Sequence, residues 1–98
     1  TSLSIDYGNF VHGFELNDVY PNPFNPSTTI NFTVSNDVNL SLVIYDMNGR
    51  VVDTLIDSNV TPGVYDITWN ANSFASGVYF AKLSSGVFEQ TQKLILIK

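Results

Sequence analysis

The chain has 98 residues, of which 44% are hydrophobic and 13% aromatic, and it contains no cysteine. A chain this short buries only about two-thirds of its unfolded surface, so it holds one core and one domain, stabilised without disulfides or thiolate metal sites. Four basic residues stand against nine acidic ones, a net charge of −5 that repels phosphate backbones and argues against nucleic acid as a partner.

Thr1 to Gly13 is rich in Ser, Asp, Asn and Gly, and its Leu3, Ile5, Tyr7, Phe10 and Val11 are too few to set a period. Residues 1–13 therefore read as a linker, with the domain proper spanning 14–98. The first ten residues lack the basic start and apolar run of a signal peptide, so the export signal of an exported parent is expected upstream of Thr1. No stretch approaches the ~18 consecutive apolar residues of a membrane helix.

From Phe14 onward, apolar residues alternate in short runs broken roughly every 8 to 12 residues by Gly, Pro, Asn and Asp, the pattern of an antiparallel sandwich or barrel. Phe14 to Tyr20 is the first strand. Thr29 to Val34 is the second, with Ile30, Phe32 and Val34 on its apolar face. Val38 to Asp46 follows, with Val38, Leu40, Leu42 and Ile44 inward, and Asn48-Gly49 turns the chain into Arg50 to Asp57. A two-residue turn sets Ile44 opposite Asp53 and a longer loop or bulge sets it opposite Val52; burial favours Val52. Pro62-Gly63 turns into Val64 to Asn70, where Trp69 is expected to be the largest single contributor to the core. Val78 to Ser84 and Val87 to Ile97 complete seven strands. That count suits an immunoglobulin-like antiparallel sandwich, and Gly77-Val78-Tyr79-Phe80-Ala81 has the spacing of a tyrosine corner.

Little in the sequence points to chemistry. The single histidine, His12, sits in the linker with no cysteine to pair with and no Gly-x-Ser-x-Gly elbow, so no catalytic residue is assigned. Asp46, Asp53, Asp57 and Asp66 fall at expected strand ends or wet faces. Asp46-Met47-Asn48-Gly49 opens like a calcium loop but lacks its later oxygen ligands and closing glutamate, so no metal and no cofactor are assigned. Tyr45 faces away from Ile44, which keeps a carbohydrate-binding surface open as an alternative.

The most specific stretch is Tyr20-Pro21-Asn22-Pro23-Phe24-Asn25-Pro26, whose three prolines fix φ and hold an extended, kinked connection. As architecture, it is expected to cross between the sheets, with Tyr20 and Phe24 plugging the end of the core and Asn22 and Asn25 bonding exposed backbone. The same stretch resembles the start of the type A C-terminal sorting domain of the type IX secretion system. That family is related to the immunoglobulin-like domain of flagellar hook-capping proteins. Val43-Ile44-Tyr45-Asp46, Asn48-Gly49-Arg50-Val51-Val52, Leu55, Pro62-Gly63, Trp69, Ser76-Gly77-Val78-Tyr79 and the ending Lys93 to Lys98 follow in the family's order.

The resemblance implies a non-catalytic sorting signal at the C-terminus of a larger secreted cargo. The cargo is carried through the periplasm, recognised by an outer-membrane translocon, and delivered to the cell surface or medium. A sorting peptidase would cut in the linker before Phe14. Translocon recognition is expected at Gly77, Tyr79, Lys93, Leu94, Ile95, Leu96, Ile97 and Lys98, with no small-molecule substrate. The apolar final strand also suits exchange between isolated copies, giving a strand-exchanged dimer. The alternative is an immunoglobulin-like spacer, interaction or carbohydrate-binding module of an extracellular enzyme.

Overall fold

The computed structural model describes residues 13–86 and 88–98. His12, Tyr7 and the rest of the linker up to residue 12 lie outside the described residues, as does Val87. Seven strands alternate through the chain: β1 (Phe14–Tyr20), β2 (Ser27–Val34), β3 (Val38–Asp46), β4 (Val51–Val60), β5 (Gly63–Asn70), β6 (Gly77–Ser85) and β7 (Phe88–Leu96). They form a three-stranded sheet, β1-β2-β5, and a four-stranded sheet, β4-β3-β6-β7, with every ladder antiparallel. This is the expected sandwich. It differs from the constant-type immunoglobulin arrangement in that the fourth strand stays beside the third instead of joining the first sheet.

The alternating side chains meet between the sheets, as the strand period requires. Ile30, Phe32 and Val34 of β2 and Trp69 of β5 face Leu40, Leu42 and Ile44 of β3, Tyr79, Ala81 and Leu83 of β6, and Leu94 and Leu96 of β7. Trp69 is 1% exposed and lies 5.5–5.7 Å from the rings of Phe24, Phe74 and Tyr79. Burying an aromatic of this size is worth about 3 kcal/mol before ring–ring terms, so Trp69 anchors one end of the core.

Three bulges, one in β1 and two in β4, change what simple alternation implies. In β1, Leu16 pairs with Phe32 and Asp18 with Asn31, leaving Asn17 as an extra residue. The phase slips there, so Val19 turns toward the core and Tyr20 turns out. Tyr20 is 78% exposed and does not plug the core; Phe24, at 3%, does so alone. In β4, Ile44 pairs with Asp53, not Val52, because Val52 is the extra residue between the Tyr45–Val51 and Ile44–Asp53 pairs. A second bulge leaves Leu55 unpaired between Thr54 and Ile56. Both extra residues still pack on the core, since a bulge lets neighbouring side chains lean to one face. Asp53, brought inward opposite Ile44, is half-buried and accepts the indole Nε1–H of Trp69 at 2.9 Å. It is therefore part of the core's polar lining and not a wet-face acid.

The turn between β3 and β4 spans residues 47–50; in it the Gly49 amide donates to the Asp46 carbonyl at 3.0 Å and Gly49 adopts φ 84°. That left-handed conformation is why glycine occupies the position. The expected tyrosine corner is present: the Tyr79 hydroxyl donates to the Ala75 carbonyl at 2.6 Å. A second Gly-Val-Tyr, fourteen positions earlier, repeats the device in the other sheet, with the Tyr65 hydroxyl donating to the Thr61 carbonyl at 2.6 Å.

Candidate functional site

The proline-rich block joins β1 to β2 within one sheet, so it does not carry the chain across the sandwich as expected from its sequence. Instead it reaches sideways to the other sheet. The Phe24 amide donates to the Ile95 carbonyl and the Ile97 amide donates to the Phe24 carbonyl, both at 2.9 Å, making a parallel bridge on the outer edge of β7. Asn22 extends this contact with its side chain. Its Nδ2 donates to the Lys93 carbonyl at 2.8 Å, and its Oδ1 accepts the Ile95 amide at 3.0 Å. The carboxamide thus offers the donor–acceptor pair that a peptide group of a neighbouring strand would offer. Asn25 is exposed.

The block is itself held from behind. The Phe24 ring lies 5.7 Å from Trp69, the Thr28 hydroxyl donates to the Pro21 carbonyl at 2.6 Å, and the Ala71 amide donates to the Pro26 carbonyl at 2.8 Å. Prolines suit these positions because they fix φ and remove amide donors that the docked segment would have to satisfy. Thr28 is 1% exposed, and its hydroxyl is paired as a buried polar group must be.

Every expected recognition residue lies at this same end. Gly77 pairs with Leu96 and Tyr79 with Leu94, so β6 and β7 carry them side by side. Lys98 is tied down by its amide on the Ser76 hydroxyl at 3.1 Å and by its ammonium on the Asn72 carbonyl. Their exposure divides them. Leu94, Leu96 and Tyr79 are buried, Ile95 is half-buried, and Lys93, Ile97 and Lys98 are exposed. Gly77 has φ 155° with open space where a Cβ would stand, so its requirement is conformational. Ile97, 53% exposed, forms an apolar corner with Pro21, Pro23 and Phe24 around a groove of about 220 Å³.

A second groove, of about 370 Å³, lies on the outer face of the four-stranded sheet between Tyr45, Met47, Phe80, Lys82 and Glu89. Tyr45 does face outward, but the Lys82 ammonium sits 4.9 Å above its ring, where a sugar would have to stack, and is itself 3.6 Å from Glu89. At the groove's rim, the Asp46 carboxylate accepts the amides of Asn48 and Arg50 at 2.9 and 3.0 Å and the Arg50 Nε at 3.0 Å. The Arg50 amide, with help from Asn48 and the guanidinium, holds the Asp46 carboxyl below its ordinary value of 3.8. These oxygens are committed to the turn. Among the described residues, no three of His, Asp and Glu cluster as metal ligands.

Sequence pattern alone misses Asp53, Thr28 and Ala71 as supports of this end. Only Asp53 carried a signal: an acid inside a strand next to a tryptophan-bearing sheet is a candidate indole acceptor.

Residues 18–98 match the family profile described as a secretion system C-terminal sorting domain. Among solved structures, the chain is similar to PorZ, described as an essential bacterial surface component of the type IX secretion system of Porphyromonas gingivalis. The TM-score is 0.60 and the identity 26% over 85% of this chain. It also resembles dimeric latent PorU of the same organism, with a TM-score of 0.61 and 20% identity over 86% of this chain, a likeness of fold. The chain spans 11% and 9% of the lengths of those two proteins. No curated protein matches it significantly.

Proposed function

The chain belongs to the family of secretion system C-terminal sorting domains, and from that premise we propose that its Lys98 end is the surface gripped by the outer-membrane translocon of the type IX secretion system. Membership implies a non-catalytic role, association with secretion machinery and an N-terminal cargo, and export to the cell surface or medium. In the finer reading, the cargo passes through the periplasm with the sandwich folded. The translocon contacts the end built from Gly77, Tyr79 and residues 93–98, and a sorting peptidase cuts within residues 1–13.

One observation carries this reading. The residues named for recognition converge at one end of the sandwich, while Gly13, where the chain enters the domain, sits at the other beside Val38 and Asn36. The nine residues of β7 separate the two ends by about 30 Å. A partner can therefore grip one end while cargo hangs from the other. Contact would fall on Lys93, Ile95, Ile97 and Lys98, whereas Leu94, Leu96 and Tyr79 hold those residues in position from inside.

The test is delivery of a reporter fused ahead of residue 1 in a bacterium with a type IX system. Deleting Leu94 to Lys98 is expected to abolish surface delivery; undiminished delivery overturns the proposal. Mass spectrometry of released reporter reads the cut, and processing beyond Phe14 overturns the assignment to the linker.

A further inference from the structure

The outer edge of β7 is the part of the sorting end that a partner could read in two different ways. A free strand edge is a template for adding another strand, and main-chain recognition of that kind is a general mode of binding extended segments. Over residues 93–97 that template is taken. The outward-facing Lys93 carbonyl, Ile95 amide, Ile95 carbonyl and Ile97 amide are each bonded to Asn22 or Phe24. Lifting the block would expose Phe24, now 3% exposed, a penalty of roughly ten- to a hundredfold in the opening equilibrium from burial alone. It would also part the Thr28–Pro21 and Ala71–Pro26 bonds.

We infer that the secretion machinery reads the last strand in its clamped, folded form and not as a free β-edge, with Asn22 as the positioning residue that holds it so. The inference rests on the sorting role proposed above and adds a requirement to it. The side chains of Lys93, Ile95 and Ile97 are recognised only at the spacing and orientation that the clamp imposes. Asn22 suits the task because a carboxamide donates and accepts at once. An aspartate keeps the acceptor for the Ile95 amide but sets a carboxylate against the Lys93 carbonyl, and an alanine keeps neither bond.

The test compares Asn22→Ala and Asn22→Asp with the unaltered chain, each fused behind the same reporter. Hydrogen exchange of the isolated fusion is read at Ile95, Ile97 and the core strand β2. Asn22→Ala is expected to speed exchange about tenfold at Ile95 and Ile97 while Ile30 and Phe32 keep their protection, and to reduce surface delivery at least tenfold. Asn22→Asp is expected to fall between the two, and it carries the test if the alanine variant loses protection throughout. A delivered, locally opened Asn22→Ala overturns the inference in favour of edge reading by strand addition. Unchanged exchange at Ile95 and Ile97 overturns Asn22 as the clamp. An unaltered fusion that is not delivered overturns instead the sorting reading on which the inference rests.

Discussion

At the Gly13 end of the sandwich the three connections are two or three residues long (35–37, 61–62 and 86–87), whereas at the Lys98 end they run to six, four and six (21–26, 47–50 and 71–76). The short turns reverse the chain, and 61–62 also supplies the Thr61 carbonyl for Tyr65. The longer ones have room to build: 21–26 clamps β7, 71–76 supplies Phe74 against Trp69 and the Ala75 carbonyl for Tyr79, and 47–50 closes on Asp46. Three of the four prolines, the tryptophan and the tied-down Lys98 are thus concentrated at the end opposite the point where cargo would join.

The largest test of this asymmetry is Trp69→Ala, which should cost about 4 kcal/mol by opening a cavity among Phe24, Phe74 and Tyr79. Urea unfolding measures it, and a loss below about 2 kcal/mol would mean that Trp69 does not anchor the Lys98 end. The twin tyrosine corners give a matched comparison. Tyr79→Phe leaves the Ala75 carbonyl without its partner at a part-buried site and should cost about 1 kcal/mol, whereas Tyr65→Phe, whose bond to Thr61 is exposed, should cost about 0.5 kcal/mol. Equal losses would erase the distinction between the ends.

Gly77→Ala should cost about 1 kcal/mol through backbone strain at φ 155°, with no clash to relieve, and heat denaturation would read it. The smallest effect concerns Asp46. Because its folded pKa is lowered from 3.8, the stabilisation it lends the turn is present at neutral pH and disappears as pH falls through that range and below. Faster exchange of the Asn48 and Arg50 amides near pH 3, with the β2 amides unchanged, is the expected sign. No change above about pH 5 should be seen.

Much of this was legible beforehand. Alternation located all seven strands, since a half-buried strand must repeat every second residue, and Trp69 and the Tyr79 corner were readable from residue type and spacing. Tyr20 was misread because the extra residue Asn17 inverts the phase of β1, and a bulge leaves no mark in a pattern of apolar and polar residues. The pairing of Ile44 failed for the same reason at Val52. With it went Asp53, whose inward turn toward Trp69 depends on that register.

By itself, then, the amino-acid order determined the all-β character, the inward faces of most strands, the lack of cysteine chemistry and the resemblance carried by the proline block and the closing residues. Local period and turn preference act over a few residues, which is why they can be read without coordinates. Only the tertiary structure decided that the proline block lies on the edge of β7, because Asn22 and Lys93 are 71 positions apart. Their meeting is set by how two sheets pack and which edges are left over, and no local pattern encodes that.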